Sequence, residues 1–182
     1  FTPVKGPAGR VTLNSDGTAS APSNAPAVIK AAVEAGNRIA RTPYIWGGGH
    51  RRWEDRGYDC SGSVSYALRG AGLLESPLVS GELGRWGDSG PGRWVTIYAN
   101  AGHVFMVVGG VRFDTSFRDG PYGTRWQTAD RPMSGFVVRH PAGLSMLLTG
   151  PSLATERVDG HPCSGAARAD DYGRGDTCGW DR

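Results

Sequence analysis

The chain has 182 residues, 38% of them hydrophobic, which is enough for one domain with its own core and cramped for two. Its 20 Lys and Arg and 17 Asp and Glu leave a formal net charge of +3 and are interspersed, which argues against a nucleic-acid-binding segment and suits an anionic polymer only weakly. No apolar run is long enough to span a bilayer, and 29 glycines and 12 prolines predict many turns and no long helices.

The sequence opens at Phe1 without an initiator Met, which leads us to expect a processed chain whose export signal has gone. Residues 1 to 22 are rich in Gly, Pro, Ser, Thr and Ala and read as a leader or linker, with one short strand at Arg10 to Asn14. Ser23 or Asn24 is placed to cap a helix with Pro26 in its first turn. Val28, Ala32, Ala35 and Ile39 mark its apolar face until Thr42 and Pro43 stop it, and packing under the loop that follows is its natural use.

That loop, PYIWGGGHRRWEDRGYD from Pro43, leads to Cys60, after which Val64, Ala67, Leu68 and Ala71 recur at helical spacing. Gly70 and Gly72 supply the end, so Cys60 falls in the first turn of a short amphipathic helix. Unpaired backbone N–H groups and the positive end of the helix dipole there favour a thiolate over a thiol. A small buried apolar residue is the commoner fate of a free cysteine, and on its own Cys60 fits either. From Glu75 to Arg93 the chain is polar and glycine-rich without periodicity, an irregular loop.

Strands follow at Trp94 to Tyr98, His103 to Val108, Val111 to Ser116 and Gly135 to Arg139, read as an antiparallel meander. Gly109 and Gly110 alone separate the second from the third, a strong signal for a two-residue hairpin with positive φ. With Val108 facing Val111, His103 faces Ser116 and Phe105 faces Asp114, all on one sheet face. His103 and Asp114 are then diagonal neighbours, close enough for an imidazole to meet a carboxylate. The opposite face, Val104, Met106, Val108, Val111 and Phe113, is apolar apart from Thr115 and must be buried. A base oriented by a third group is what a nucleophilic cysteine needs, and here are candidates for both roles.

Cys163 and Cys178 lie in the polar, glycine-rich stretch 146 to 182, where a disulfide outside the cytoplasm would leave Cys60 free. A metal site built from these cysteines and His161 lacks a fourth ligand, and Asp170, Asp171 and Asp176 lack the spacing and closing Glu of a calcium loop. No metal or cofactor is expected. His50, His140 and His161 show no partner pattern and read as structural or exposed. Trp86, Trp94 and Trp126 suit a groove or a core equally.

PYIWGG, then YDCSG opening a helix, then GHVFMVV on a strand resembles the NlpC/P60 family of cell-wall cysteine peptidases over about residues 27 to 140. The resemblance implies an α+β, papain-like core over 23 to 145, a β-meander packed against the helix whose N-terminus carries the catalytic cysteine. It implies Cys60 as nucleophile, His103 as base and Asp114 as the orienting residue, a position the family more often fills with His. Tyr44, with the Cys60 N–H, would stabilise the oxyanion, and Asp59 and Ser61 would bind a free amino group of a peptide stem, although both are also ordinary helix-capping residues. Trp46 belongs to the same loop, and Arg51 and Arg52 would meet stem carboxylates or else form a solvated loop. Two departures bear on substrate preference: the stretch GPGRWVTIYANAGH before His103 carries no acidic residue, and the loop before Tyr58 is longer than a minimal one. The implied activity is hydrolysis of an amide in peptidoglycan stem peptides, usually between the γ-carboxyl of D-glutamate and a diamino acid, by a secreted or cell-wall-associated bacterial monomer. A wall-binding module that no longer cuts, and an acyltransferase or amidase on another amide, are the alternatives.

Overall fold

In the computed structural model, which describes residues 10–116, 123–128 and 131–144, eight short strands and three helices form an α+β fold. Strands β1 (Thr12–Leu13) and β2 (Ala19–Ser20) make an antiparallel hairpin whose turn is held by Asp16, which accepts from the N–H and hydroxyl of Thr18. Val11 is buried and donates its N–H to Gly109 O at 3.1 Å, so regular structure begins inside the stretch whose composition suggests a linker.

Helix α1 (Ala27–Arg38) has Pro26 as its N-cap with no side-chain cap, so neither Ser23 nor Asn24 takes that role. Its buried residues are Ile29, Ala32, Val33, Ala35 and Gly36, with Ile39 buried just past its end; of the expected face Ala32, Ala35 and Ile39 are buried and Val28 packs half-buried against the core, while Ile29 and Val33 widen the stripe. It packs against α2 (Cys60–Gly70), which ends before Gly72 at φ +71. Every α2 residue from Cys60 to Leu68 is buried, so the helix is central rather than amphipathic. Its serines tolerate this because each is bonded: Ser63 Oγ donates to Asp59 O at 2.7 Å, and Ser65 Oγ bridges the N–H and C=O of Leu78.

The stretch expected to be irregular carries a one-turn helix, α3 (Ser80–Leu83), and a two-residue strand, β3 (Asp88–Ser89). Neither is long enough to show periodicity; Glu82 stitches α3 by accepting the Val79 N–H, and Leu83 anchors it in the core.

Strands β4 (Val95–Ala99), β5 (Val104–Val108) and β6 (Val111–Phe113) run as the meander expected; an unexpected β7 (Trp126–Gln127) extends it, and β8 (Val137–His140) does not continue it. The chain crosses back and β8 pairs with the free edge of β4, giving the order β3-β8-β4-β5-β6-β7 with every pair antiparallel. Backbone groups on that edge would otherwise lack partners, a constraint strand spacing in sequence does not reveal. Gly109 and Gly110 turn at φ +54 and +93, and Met106 opposite Phe113 confirms the register. Val104, Met106, Val108, Val111 and Phe113 share the core with Val64 and Leu68 of α2. Trp94 and Trp126 are core residues, and Trp126 lies so close to Gly36 that a β-carbon there would stand 2.5 Å from its ring.

Candidate active site

The extended backbone of Asp59 ends the loop, and its Oδ1 accepts the Gly62 N–H at 2.7 Å, which caps α2 and makes Cys60 the first helical residue. Cys60 is 8% exposed and free. Its sulfur meets the end of the sheet, where the Val104 N–H and the His103 side chain act to favour its ionised form. The turn before β5 is fixed by Asn100, whose Oδ1 accepts the N–H groups of Gly102 and His103 at 3.0 and 2.9 Å.

His103 Nε2 lies 2.9 Å from Asp114 Oδ1 and 3.2 Å from Ser116 Oγ, and the Ser116 N–H donates to the same carboxylate oxygen at 2.8 Å. With Nε2 so engaged, Nδ1 is the nitrogen left to serve the thiol. Strand β5 starts after His103 and β6 stops before Asp114. The three candidate residues therefore meet at the sheet's end, beside the α2 N-terminus, rather than over the middle of a sheet face.

Burial pushes the Cys60 thiol up, but the hydrogen bond from His103, the Val104 N–H and the charge of His103 together outweigh it and hold the thiol below its ordinary value. Burial alone would lower His103, yet the bonds and charges of Asp114 and Cys60 raise it to about 9. Asp114 is only 2% exposed; burial works to raise its pKa, and His103, the Ser116 N–H and Arg131 bring it below the carboxylate range. The Cys60 and His103 shifts both act in the direction that favours a thiolate beside an imidazolium.

Behind α2 the loop is tied down at several points. The Asp59 N–H donates to Gly48 O at 3.2 Å, the Gly47 N–H to Asp59 Oδ2 at 3.1 Å, and the Tyr58 N–H to Pro43 O at 3.0 Å. The loop lies so near the helix that a β-carbon on Gly62 would stand 2.1 Å from Gly48 O. Arg125, fully buried, donates to the carbonyls of Ile39, Thr42, Pro43 and Tyr58 and to Ser63 Oγ. Tyr44 is half exposed; burial of its phenol, then the charges of Cys60 and Asp59, raise its pKa, which puts the hydroxyl within electrostatic reach of both.

Asp59 and Ser61 are buried and bonded to each other at 3.1 Å. His50 joins them, its Nε2 3.0 Å from Asp59 Oδ1 and 3.1 Å from Ser61 Oγ. The sequence shows no partner pattern for His50; in the fold it is held by these two residues. Trp46 is 85% exposed on the same loop, and Arg51 and Arg52 are exposed, Arg52 pairing with Asp55 at 3.4 Å. His140 is bonded through Nδ1 to Gly90 O at 3.0 Å, away from the cysteine. Cys163, Cys178, His161 and the aspartates at 170, 171 and 176 lie outside the described residues.

Sequence reasoning also misses Arg125 and Arg131. Arg131 Nη1 stands 2.5 Å from Asp114 Oδ2, and Arg112 Nη1 is 3.6 Å from the same oxygen. Only the general rule that a buried carboxylate needs cations would have pointed to them. Among the described residues no group of three or more His, Cys, Asp or Glu is placed to hold a metal ion, and no helix is long and apolar enough to cross a membrane.

No family model matches the chain, and no curated protein matches it. Among solved structures, the peptidoglycan hydrolase RipB from Mycobacterium tuberculosis aligns at 25% identity with a TM-score of 0.48, covering 66% of this chain and 70% of that one.

Proposed function

We propose that the protein is a cysteine peptidase of the NlpC/P60 type that hydrolyses an amide bond in the peptide stems of bacterial peptidoglycan, acting outside the cytoplasm. The observation that carries the reading is the contact of a helix-N-terminal thiol with an imidazole whose far nitrogen is held by a buried carboxylate. That set of groups serves acyl transfer.

In this mechanism the Cys60 thiolate attacks the amide carbonyl carbon, and the electron pair of the C=O moves to oxygen. The oxyanion is met by the Cys60 N–H and the Tyr44 hydroxyl. His103, as imidazolium, gives its Nδ1 proton to the leaving amine as the C–N bond breaks. Water then loses a proton to the neutral His103 and attacks the thioester, which releases the acid and restores the thiolate. Asp114 holds the ring in the useful orientation throughout. The bond we assign is the one between the γ-carboxyl of D-glutamate and a diamino acid. Asp59 and Ser61 would face the free amine of the stem, and Trp46, Arg51 and Arg52 form the rim that the rest of the substrate crosses.

Mass spectrometry of fragments released from purified peptidoglycan tests activity and bond together. Wild type should release stem fragments cut at the D-glutamyl bond, and Cys60→Ala none; equal release by both proteins would sink the mechanism. Products of transfer alone, without hydrolysis, would favour an acyltransferase.

A further inference from the structure

We propose that Arg131 is a positioning residue that shares the Asp114 carboxylate with His103 and thereby limits how tightly the catalytic imidazolium is held; this rests on the assignment of Cys60, His103 and Asp114 as the catalytic set.

The two oxygens of Asp114 are divided between two cations. Oδ1 faces His103 Nε2 at 2.9 Å, and Oδ2 faces Arg131 Nη1 at 2.5 Å, with Arg112 Nη1 behind at 3.6 Å. The carboxylate side chain is fully buried, so water does not screen these charges from one another. The slot for the guanidinium is built: its carbon lies 4.6 Å from the Phe105 ring centroid and 5.3 Å from that of Phe136. The same two rings flank the imidazole, at 6.3 and 6.4 Å, and pack edge-to-face on each other at 5.2 Å. His103 and Arg131 thus stand against one aromatic wall with the carboxylate bridging them.

That arrangement answers a chemical difficulty. His103 must surrender a proton to the leaving amine and later take one from water, so an imidazolium held too firmly is a poor acid. A buried carboxylate serving His103 alone would hold it very firmly. Arg131 draws on the same negative charge and repels the imidazolium, both of which loosen the proton. Among the described residues, the charged or titratable groups placed against this cluster include Cys60, which strengthens the imidazolium, Asp59, which acts on Cys60, Tyr98, whose ring stacks on Phe105 at 4.9 Å, and Arg112, a second cation beside Asp114.

The test follows the His103 ring by NMR titration of the full chain labelled at histidine, with a His103→Gln variant assigning its signal among the four histidines. Arg131→Met should move the His103 midpoint up by about one unit, the size expected from removing a neighbouring buried cation. Arg131→Gln, which fills the slot with a neutral amide, should do the same and decides the matter if the Met variant does not fold. Arg131→Lys, which keeps the charge, should stay near wild type. A midpoint unchanged or lowered in the neutral variants would overturn the proposal. The titration needs no substrate, so a wild type inactive on peptidoglycan would defeat the peptidase reading while leaving this measurement able to judge Arg131.

Discussion

His103 Nε2 stands 2.9 Å from Asp114 Oδ1, although His103 precedes β5 and Asp114 follows β6, so neither belongs to the strands that bring them together. The pair is made by the glycine turn at the far end of the hairpin, which sets the register, and is trimmed locally by Asn100 and Ser116. Placed past the last ladder bonds, His103 acts on the sulfur at the helix end while Asp114 holds the ring from its other side.

The first prediction concerns charge. Cys60 is held below and His103 above its ordinary value, so between the two the site favours thiolate and imidazolium. Alkylation of Cys60 by iodoacetamide at pH 6 should outpace that of a model thiol, and His103→Ala, which removes the largest cause of the lowered thiol pKa, should slow it. Turnover should fall as pH rises through about 9, where the proton destined for the leaving amine is lost from His103. A rate that simply tracks an ordinary thiol would contradict this.

Asp114→Asn should cost about 1–3 kcal/mol at neutral pH, because His103, Arg112 and Arg131 lose a shared buried anion. The pH sign follows from its folded pKa, which lies below the unfolded 3.8. Its contribution is present above that value and is lost as pH falls through the folded pKa. Denaturant titrations should find the gap between wild type and variant narrowing below about pH 4. Turnover should drop about 10²-fold, the lower end of what a disoriented base loses.

Much of this site was legible beforehand because its logic is local or periodic. The Asp59 cap and Cys60 at the first helical position follow from residue type and spacing, and the His103–Asp114 pairing from a turn that admits one register. What was missed is long-range. Arg131 lies 17 positions from Asp114, Arg125 lies 86 positions from Ile39, and no period connects them. The return of β8 to the edge of β4 is hidden for the same reason, since it depends on which backbone edge is left open. His50 was passed over because a loop histidine carries no face; only the folded loop shows that it closes on Asp59 and Ser61.

Arg125→Met should destabilise the protein by about 3–5 kcal/mol, the range for emptying one side of a buried ionic or charge-assisted network. Four backbone carbonyls and Ser63 would lose a donor at once, Ile39 O and Pro43 O keeping the N–H groups of Thr42 and Tyr58, and those carbonyls belong to the end of α1 and the loop leading to Cys60. Thermal unfolding should show the loss. A midpoint within a degree or two of wild type would mean that those carbonyls find other partners.

Tyr44→Phe separates oxyanion stabilisation from nucleophile activation. The hydroxyl is half exposed at the loop's rim, so its removal should leave stability and the alkylation rate of Cys60 nearly unchanged. The turnover number should fall about 10²-fold or more, the scale seen when one oxyanion donor is removed. A variant as active as wild type would remove Tyr44 from the mechanism.

Gly62→Ala probes the loop and helix together. A β-carbon at this position would stand 2.1 Å from Gly48 O, and that atom is backbone, so the loop must move rather than a side chain. The same carbonyl accepts the Asp59 N–H, and the neighbouring Gly47 N–H binds the Asp59 carboxylate, so the displacement reaches the cap of α2. The cost should be about 1–3 kcal/mol, as for other forced insertions into tight packing. Tyr44 rides on the same loop, so the turnover number should fall at least as far as in Tyr44→Phe. His103 and Asp114 belong to the sheet end, so the His103 midpoint should move only as far as Cys60 is displaced from it. A fall in turnover with a shifted His103 midpoint would instead mean that the loop governs the base as well as the oxyanion site.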